Sequence, residues 1–479
     1  MQEEQQVEAQ TGGVERSIVR LVCSTPCLRQ FFLLERKEQQ QAEAQSEESG
    51  WSVKEIGDGN LNFVYVVTRR FQDDQQQQQE RSLVVKQAVP YVRMVGESWP
   101  LSPERAFFEH EALREHHRHA PEHVPRVFHF FPGPHHATVM EYLSNSSYRS
   151  LRKSLIRARK HPALAPHMAR FLARSLFFTS AFCEANRQQN DRLRDIFDGN
   201  QLYRLTQAVI FEEPFTRNHK NNRWTSHPLM DEEVASIQAN AALLRRVEEA
   251  KTKFLTHKEA LLHADLHTGS VLVGEGGGET KVLDPEFAFF GPIAFDVGQF
   301  VGNLLLAVCS QRGLIEKEEE EEEKRKDMEE WILTAIEELW DRFLTLFRDL
   351  VGQHSSYGLL SLPLHEEKAD AKAGKEEEER IWGAFTKQLL RDVLAFSGVV
   401  MIRRIVGIAH AEDMEVIQRV ERKVACERRA LRMAQQLILA SAPFDEKEKT
   451  EEQQGAGGAS MHDVLLDVRR SLLLGDEAD

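Results

Sequence analysis

The hydrophobic period of this 479-residue chain changes once, near residue 145, and that single switch limits the folds open to it. From about residue 51 to 145 short β-rich runs dominate: Phe63 to Thr68, Ser82 to Lys86, Val124 to Phe130 and Ala137 to Tyr142, separated by Gly and Asp turns. Only Ser102 to His117 reads as a helix in that stretch. Beyond residue 150 the long segments take a helical period. In Trp331 to Val351, the residues Ile332, Ile336, Leu339, Trp340, Phe343, Phe347 and Leu350 fall on one face. The outline is α+β and bilobal, a small β-rich N-terminal lobe followed by a larger, mostly helical C-terminal lobe, with room for a cleft.

Segments rich in Gln, Glu, Lys, Ala or Gly punctuate this pattern at residues 1–13, 36–50, 72–80, 316–327, 366–379 and 445–459. They carry too little apolar surface to offset their ordering entropy and read as solvated loops and tails. The expected organisation is an N-terminal extension with helical and low-complexity parts over 1–50, an N-terminal lobe over 51–143, a C-terminal lobe over 144–442, and a tail with an acidic linker over 443–479. A formal charge of −15 repels phosphate backbones and argues against nucleic-acid binding. The acidic, Gln-rich start is unlike a signal peptide. Apolar stretches such as Phe300 to Cys309 are about half the ~20 residues a bilayer demands, so no membrane span is expected. The cysteines Cys23, Cys27, Cys183, Cys309 and Cys426 form no zinc pattern and read as reduced thiols of a cytoplasmic protein.

Three constellations carry chemistry. Gly57-Asp58-Gly59-Asn60-Leu61-Asn62 precedes the strand-like Phe63 to Val67, a loop whose glycines let backbone N–H groups approach phosphates, and equally an ordinary hairpin turn. Lys86 ends an apolar strand, where its ammonium can neutralise phosphates while Glu109 or Glu111 on the next helix holds it. Then come His263-Ala264-Asp265-Leu266-His267-Thr268-Gly269-Ser270 and, about twenty residues later, Asp284-Pro285-Glu286. Phosphoryl transfer needs one carboxylate to orient the attacking hydroxyl and others to hold magnesium against the phosphates, and these residues have that order.

The succession of Gly loop, strand lysine, Met140-Glu141-Tyr142-Leu143, His-x-Asp and Asp-x-Glu resembles the protein-kinase-like fold in its aminoglycoside phosphotransferase branch. Most of that branch has an asparagine where Ser270 stands. Glu55 to Asn62, Val85 to Tyr91, Val95 to Pro100, Asp265 to Ser270, Asp284 to Phe289, Gly291-Pro292-Ile293 with Phe295 to Gly298, and Ile402-Arg403-Arg404 are similar to the S-methyl-5-thioribose kinase family, where serine is the rule. The similarity spans roughly residues 51 to 440. That family usually has glycine at the position of Ala264.

The resemblance implies ATP binding through Gly57, Gly59, Asn60, Asn62, Lys86, the hinge Glu141, Tyr142 and Leu143, and Asp284, Pro285 and Glu286, with Mg2+ on Asp284 and Glu286. It implies that Asp265 is catalytic and contacts the C1 hydroxyl of 5-methylthioribose, and that an arginine of the Arg403-Arg404 pair binds substrate. A homodimer is also implied. Trp99 belongs to a nucleotide loop or merely anchors it, and His267 supports the aspartate loop. The rival expectations are a kinase for another small alcohol, of the aminoglycoside, choline or homoserine type, and an inactive kinase-like scaffold.

Overall fold

The computed structural model describes residues 16–32, 50–56, 61–72, 77–93, 96–224, 226–315, 320–355, 375–442 and 460–474. The chain divides into two compact units, Met1–Ser144 and Asn145–Asp479.

The first unit is built on a five-stranded antiparallel sheet of β1 (Trp51–Glu55), β2 (Asn62–Gln72), β3 (Gln78–Ala88), β6 (Val127–Phe131) and β7 (Ala137–Glu141), in the order β1-β2-β3-β7-β6. The short pair Tyr91–Val92 (β4) and Gly96–Pro100 (β5), which carries Trp99, stands apart from it. Side chains alternate across a strand, so the two sheet faces bury different partners. Tyr65 and Val67 of β2, Leu83 and Val85 of β3, and Val139 of β7 pack with Ile18, Val22, Leu28 and Phe32. Those four come from two short helices, α1 (16–24) and α2 (Pro26–Phe32), so this part of the N-terminal extension is core. The intervening residues Val84 and Lys86 face the side where α3 (Arg105–His119) lies; Thr138 of β7 donates to the Ala106 carbonyl there at 3.2 Å.

The second unit is mostly helical. Its centre is α6 (Ile293–Ser310), whose residues are all buried. By length and composition Ile293–Leu314, 22 residues at hydropathy 1.6, would suit a bilayer, yet its most apolar window is 100% buried within the protein. The sequence showed only half of that length, because Asp296, Gly298 and Gln299 interrupt the apolar run ahead of Phe300. In the fold those small and polar residues are interior. A Cβ on Gly302 would stand 2.7 Å from the Ser397 carbonyl of α8 (Lys375–Val406), so glycine is what lets the two helices approach. Around α6 lie α5 (Leu164–Phe178), α7 (Glu320–His354), α8 and α10 (Val420–Ala440).

Three low-complexity segments depart from their reading as loops. Gln72 and Gln78 to Glu80 continue the β2–β3 ladder, in which each strand has eleven residues. Residues 320–327 form the first turns of α7, and 375–379 those of α8. Glu and Lys are strong helix formers, and a helix nucleated by the packed segment from Met328 onward propagates through them at little cost. The Glu322–Lys326 pair at 2.7 Å, four residues apart, adds to this. Part of the tail folds as well: α11 (Met461–Leu474) buries Met461, Leu465 and Val468 and packs on α7.

Candidate active site

In the first unit, Lys86 donates to Glu109 at 2.7 Å, and both side chains are almost wholly buried. Glu111, the other candidate, pairs instead with Arg114 at 2.8 Å; residues two apart do not share a helix face. Asn62 opens β2 opposite Ala88 and is buried. Its Oδ1 accepts from Arg105 at 3.1 Å, and Arg105 also donates to the carbonyls of Leu61, Val89 and Ser102. One buried guanidinium thus ties the start of β2, the end of β3 and the entry to α3. Glu141 ends β7, where its carboxylate accepts from the Arg126 backbone N–H at 3.0 Å; Tyr142 and Leu143 follow it, half-buried. Gly57, Gly59 and Asn60 lie outside the described residues.

In the second unit, strand register brings two acidic loops together. β9 (Ala260–Leu262) pairs with β12 (Phe289–Gly291), and β10 (Val271–Gly274) pairs with β11 (Thr280–Val282) and with β8 (Tyr148–Ser150). The connections 263–270 and 283–288 therefore leave neighbouring strand ends. They are stitched at Leu283, whose N–H donates to Ser270 O at 2.9 Å and whose carbonyl accepts from His263 Nε2 at 2.7 Å. Asn200 braces the second connection through the carbonyls of Glu286, at 3.0 Å, and Ala288, at 2.9 Å. Asp284 is exposed and holds φ at +64°, a conformation aspartate tolerates; Pro285 and Glu286 are buried.

The aspartate loop is fixed from below by the first turns of α6. Asp296 accepts the N–H groups of His263 and Ala264 at 2.7 and 2.9 Å, and Gln299 accepts that of Leu266 at 2.6 Å. His267 Nδ1 receives the N–H groups of Gly269 and Ser270, both at 3.0 Å. Its proton therefore sits on Nε2, which lies 3.7 Å from Asp265 Oδ2. Ser270 is buried, and its hydroxyl bonds to the Asp265 carbonyl at 3.1 Å, closing the loop.

Arg404 approaches Asp265 to 3.7 Å from the last turns of α8, with Arg403 beside it. Burial raises the Asp265 pKa, but the positive charge around it, Arg404 and Arg403 included, outweighs burial and holds the carboxyl below its usual value. Burial also keeps the His267 ring well below the usual imidazole value, hence neutral, so the positive charge beside Asp265 belongs to the arginines. Three nitrogens of this pair, Arg403 Nε and Nη1 and Arg404 Nε, are buried without a partner among the described residues.

Arg105, Asn200 and Gln299 carry the site's geometry without having been singled out by sequence reasoning, and Asp296 stood there only within a matching string, with no role assigned. A signal existed for Asp296, a lone carboxylate in the first turn of an otherwise apolar helix, which is costly to bury unless something donates to it.

A profile described as "Phosphotransferase enzyme family" matches residues 52–330. Methylthioribose kinase 2 of Oryza sativa subsp. japonica is 38% identical over 83% of this chain and 88% of its own length. Methylthioribose kinase 1 of the same plant is 38% identical over 82% and 86%, and the methylthioribose kinase of Escherichia coli 36% identical over 82% and 88%.

Proposed function

The chain belongs to the phosphotransferase enzyme family and within it to the methylthioribose kinases, and from that premise we propose that it transfers the terminal phosphoryl group of ATP to the 1-hydroxyl of 5-methylthioribose. The observation that carries the reading is the held geometry of Asp265: a loop locked by Asp296 and Gln299, with a neutral His267 N–H on one side and Arg404 on the other.

A carboxylate held below its usual value is a weak base at neutral pH, so Asp265 orients the hydroxyl and takes its proton late, as bonding to phosphorus develops. Arg403 and Arg404 offer unpartnered N–H groups to charge accumulating on the transferring phosphoryl oxygens or to the acceptor. Lys86, kept in place by Glu109, supports the α and β phosphates. The 141–143 segment and the loop before β2 would hold the rest of the nucleotide.

The family implies Mg2+, and the donor set suits it. Magnesium takes one or two carboxylates together with phosphate oxygens and water. Asp284 and Glu286 supply two such carboxylates next to the aspartate loop, and no group of three or more His, Cys, Asp or Glu among the described residues forms a protein-only cage. When bound there, the ion would neutralise phosphate charge. The same family reading extends to a cytoplasmic homodimer.

The deciding experiment follows ATP consumption with and without methylthioribose, beside a panel of sugars, aminoglycosides, choline and homoserine. Methylthioribose-dependent turnover, lowered ~10²–10⁴-fold by Asp265→Asn, is expected. No preference for methylthioribose would remove the substrate assignment, and a fully active Asp265→Asn would remove the role of that residue.

A further inference from the structure

Next to the arginine pair lies an ion pair of mixed hydrogen-bonding character. Arg152, in the first turn of α4 (Leu151–Ile156), is anchored to the catalytic loop: its N–H donates to Thr268 O at 3.0 Å and its Nε to Thr268 Oγ1 at 3.4 Å. The same Nε lies 3.6 Å from Oδ2 of Asp413, on the short helix α9 (Glu412–Glu415), while Nη1 is 3.9 Å from Glu412. Gly269 makes room for this guanidinium, since a Cβ there would stand 3.0 Å from it. Arg404 feels Asp265, Arg152 and Asp413 together, so the four charged groups form one chain from the catalytic aspartate outward.

Two atoms of the pair are unspent. Among the described residues, Arg152 Nη2 is a buried donor without a partner, and Asp413 Oδ1 a buried acceptor without one, on a residue only 3% exposed. Orphaned buried polar atoms are costly and uncommon, and they mark places where a ligand completes the bonding. Their types narrow the ligand. A phosphate offers acceptors alone and would satisfy Arg152, Arg403 and Arg404 while repelling Asp413. A sugar hydroxyl offers both, donating to the carboxylate and accepting from the guanidinium.

We infer that Arg152 and Asp413 together read the ring hydroxyls of the acceptor sugar that do not react, and so set acceptor specificity. This rests on methylthioribose being the acceptor. A site built to bond a hydroxyl rejects the analogue lacking it, because its own buried groups are then left unsatisfied.

The test compares kcat/KM for methylthioribose with its 2-deoxy and 3-deoxy analogues, in the parent and in Asp413→Asn and Arg152→Gln. The parent should prefer methylthioribose over at least one analogue by ~10²-fold or more. Each variant should shrink that ratio ~10-fold or more, through a raised acceptor KM, with KM for ATP little changed. The ratio is insensitive to the fraction of folded enzyme; should Asp413→Asn fail to fold, Arg152→Lys, which keeps the charge and loses the planar fork, takes its place. Unchanged ratios in variants that turn over methylthioribose would overturn the inference alone. A parent inactive on methylthioribose but active on another alcohol would instead overturn the substrate assignment beneath it.

Discussion

Asp296 grips the N–H of Ala264 at 2.9 Å while Ala264 holds φ at +65°, so a carboxylate in the core helix keeps the residue before Asp265 in a left-handed conformation. An L-residue there costs about 1 kcal/mol, which glycine would not incur, although glycine also loses more freedom on folding. Ala264→Gly should therefore be neutral or stabilising by up to about 1 kcal/mol in thermal melts. Ala264→Val, β-branched and in a buried position, should destabilise by more than about 2 kcal/mol. A Gly variant markedly weaker than the parent would show that the turn is not strained.

Glu109→Gln should leave the buried Lys86 ammonium without its countercharge. Breaking such a pair costs about 3–5 kcal/mol, and the lysine would lose its fixed position. Lower denaturant midpoints together with a raised KM for ATP are expected, whereas Glu111→Gln, which loses only the pairing with Arg114, should leave the KM for ATP unchanged and cost far less stability. Equal effects from the two would contradict the pairing.

His267→Ala should lower kcat ~10–10²-fold by freeing the loop that Nδ1 ties down. Because burial keeps the ring neutral, parent and variant should show parallel kcat profiles between pH 5 and 8. A limb near pH 6.5 present only in the parent would assign His267 a titrating role.

Glu259 carries a pH dependence of stability. Its carboxylate accepts the Ile293 N–H at 2.8 Å, capping α6, and burial pushes its pKa from 4.5 up to about 7, with Asp392 adding to the rise and Lys253 opposing it. A raised acid binds its proton more tightly when folded, so its stabilising contribution is complete below pH 4.5 and lost as pH climbs through 7. Glu259→Gln keeps an acceptor for Ile293 and removes the ionisation. Its Tm relative to the parent should improve by a few degrees from pH 5 to pH 8, on the order of 1–2 kcal/mol given partial exposure. A constant difference would refute the linkage.

Much of this was legible in the sequence because the signals were periodic or chemical. The long face of α7 and the β2–β3 hairpin follow from apolar spacing, and the aspartate and Asp-x-Glu loops from residue type and order. The strands β8 to β12 were not, since three or four residues hold too little alternation to stand out from their helical surroundings. The Arg152–Asp413 pair escaped for another reason: its members are far apart in sequence and meet only because β8, paired to β10, delivers Arg152 beside Thr268. The choice between Glu109 and Glu111 needed the helix phase relative to β3, which spacing alone leaves open.

The central helix α6 serves both as the hydrophobic heart of its unit and as the mount for the aspartate loop, through Asp296 and Gln299 in its first two turns. A lesion deep in the interior, such as an added methyl at Gly302 against the Ser397 carbonyl, would overpack the α6–α8 contact and strain that mount as well as the core. Changes there would therefore reach turnover as well as abundance, and a screen that scores only expression level would miss part of their effect.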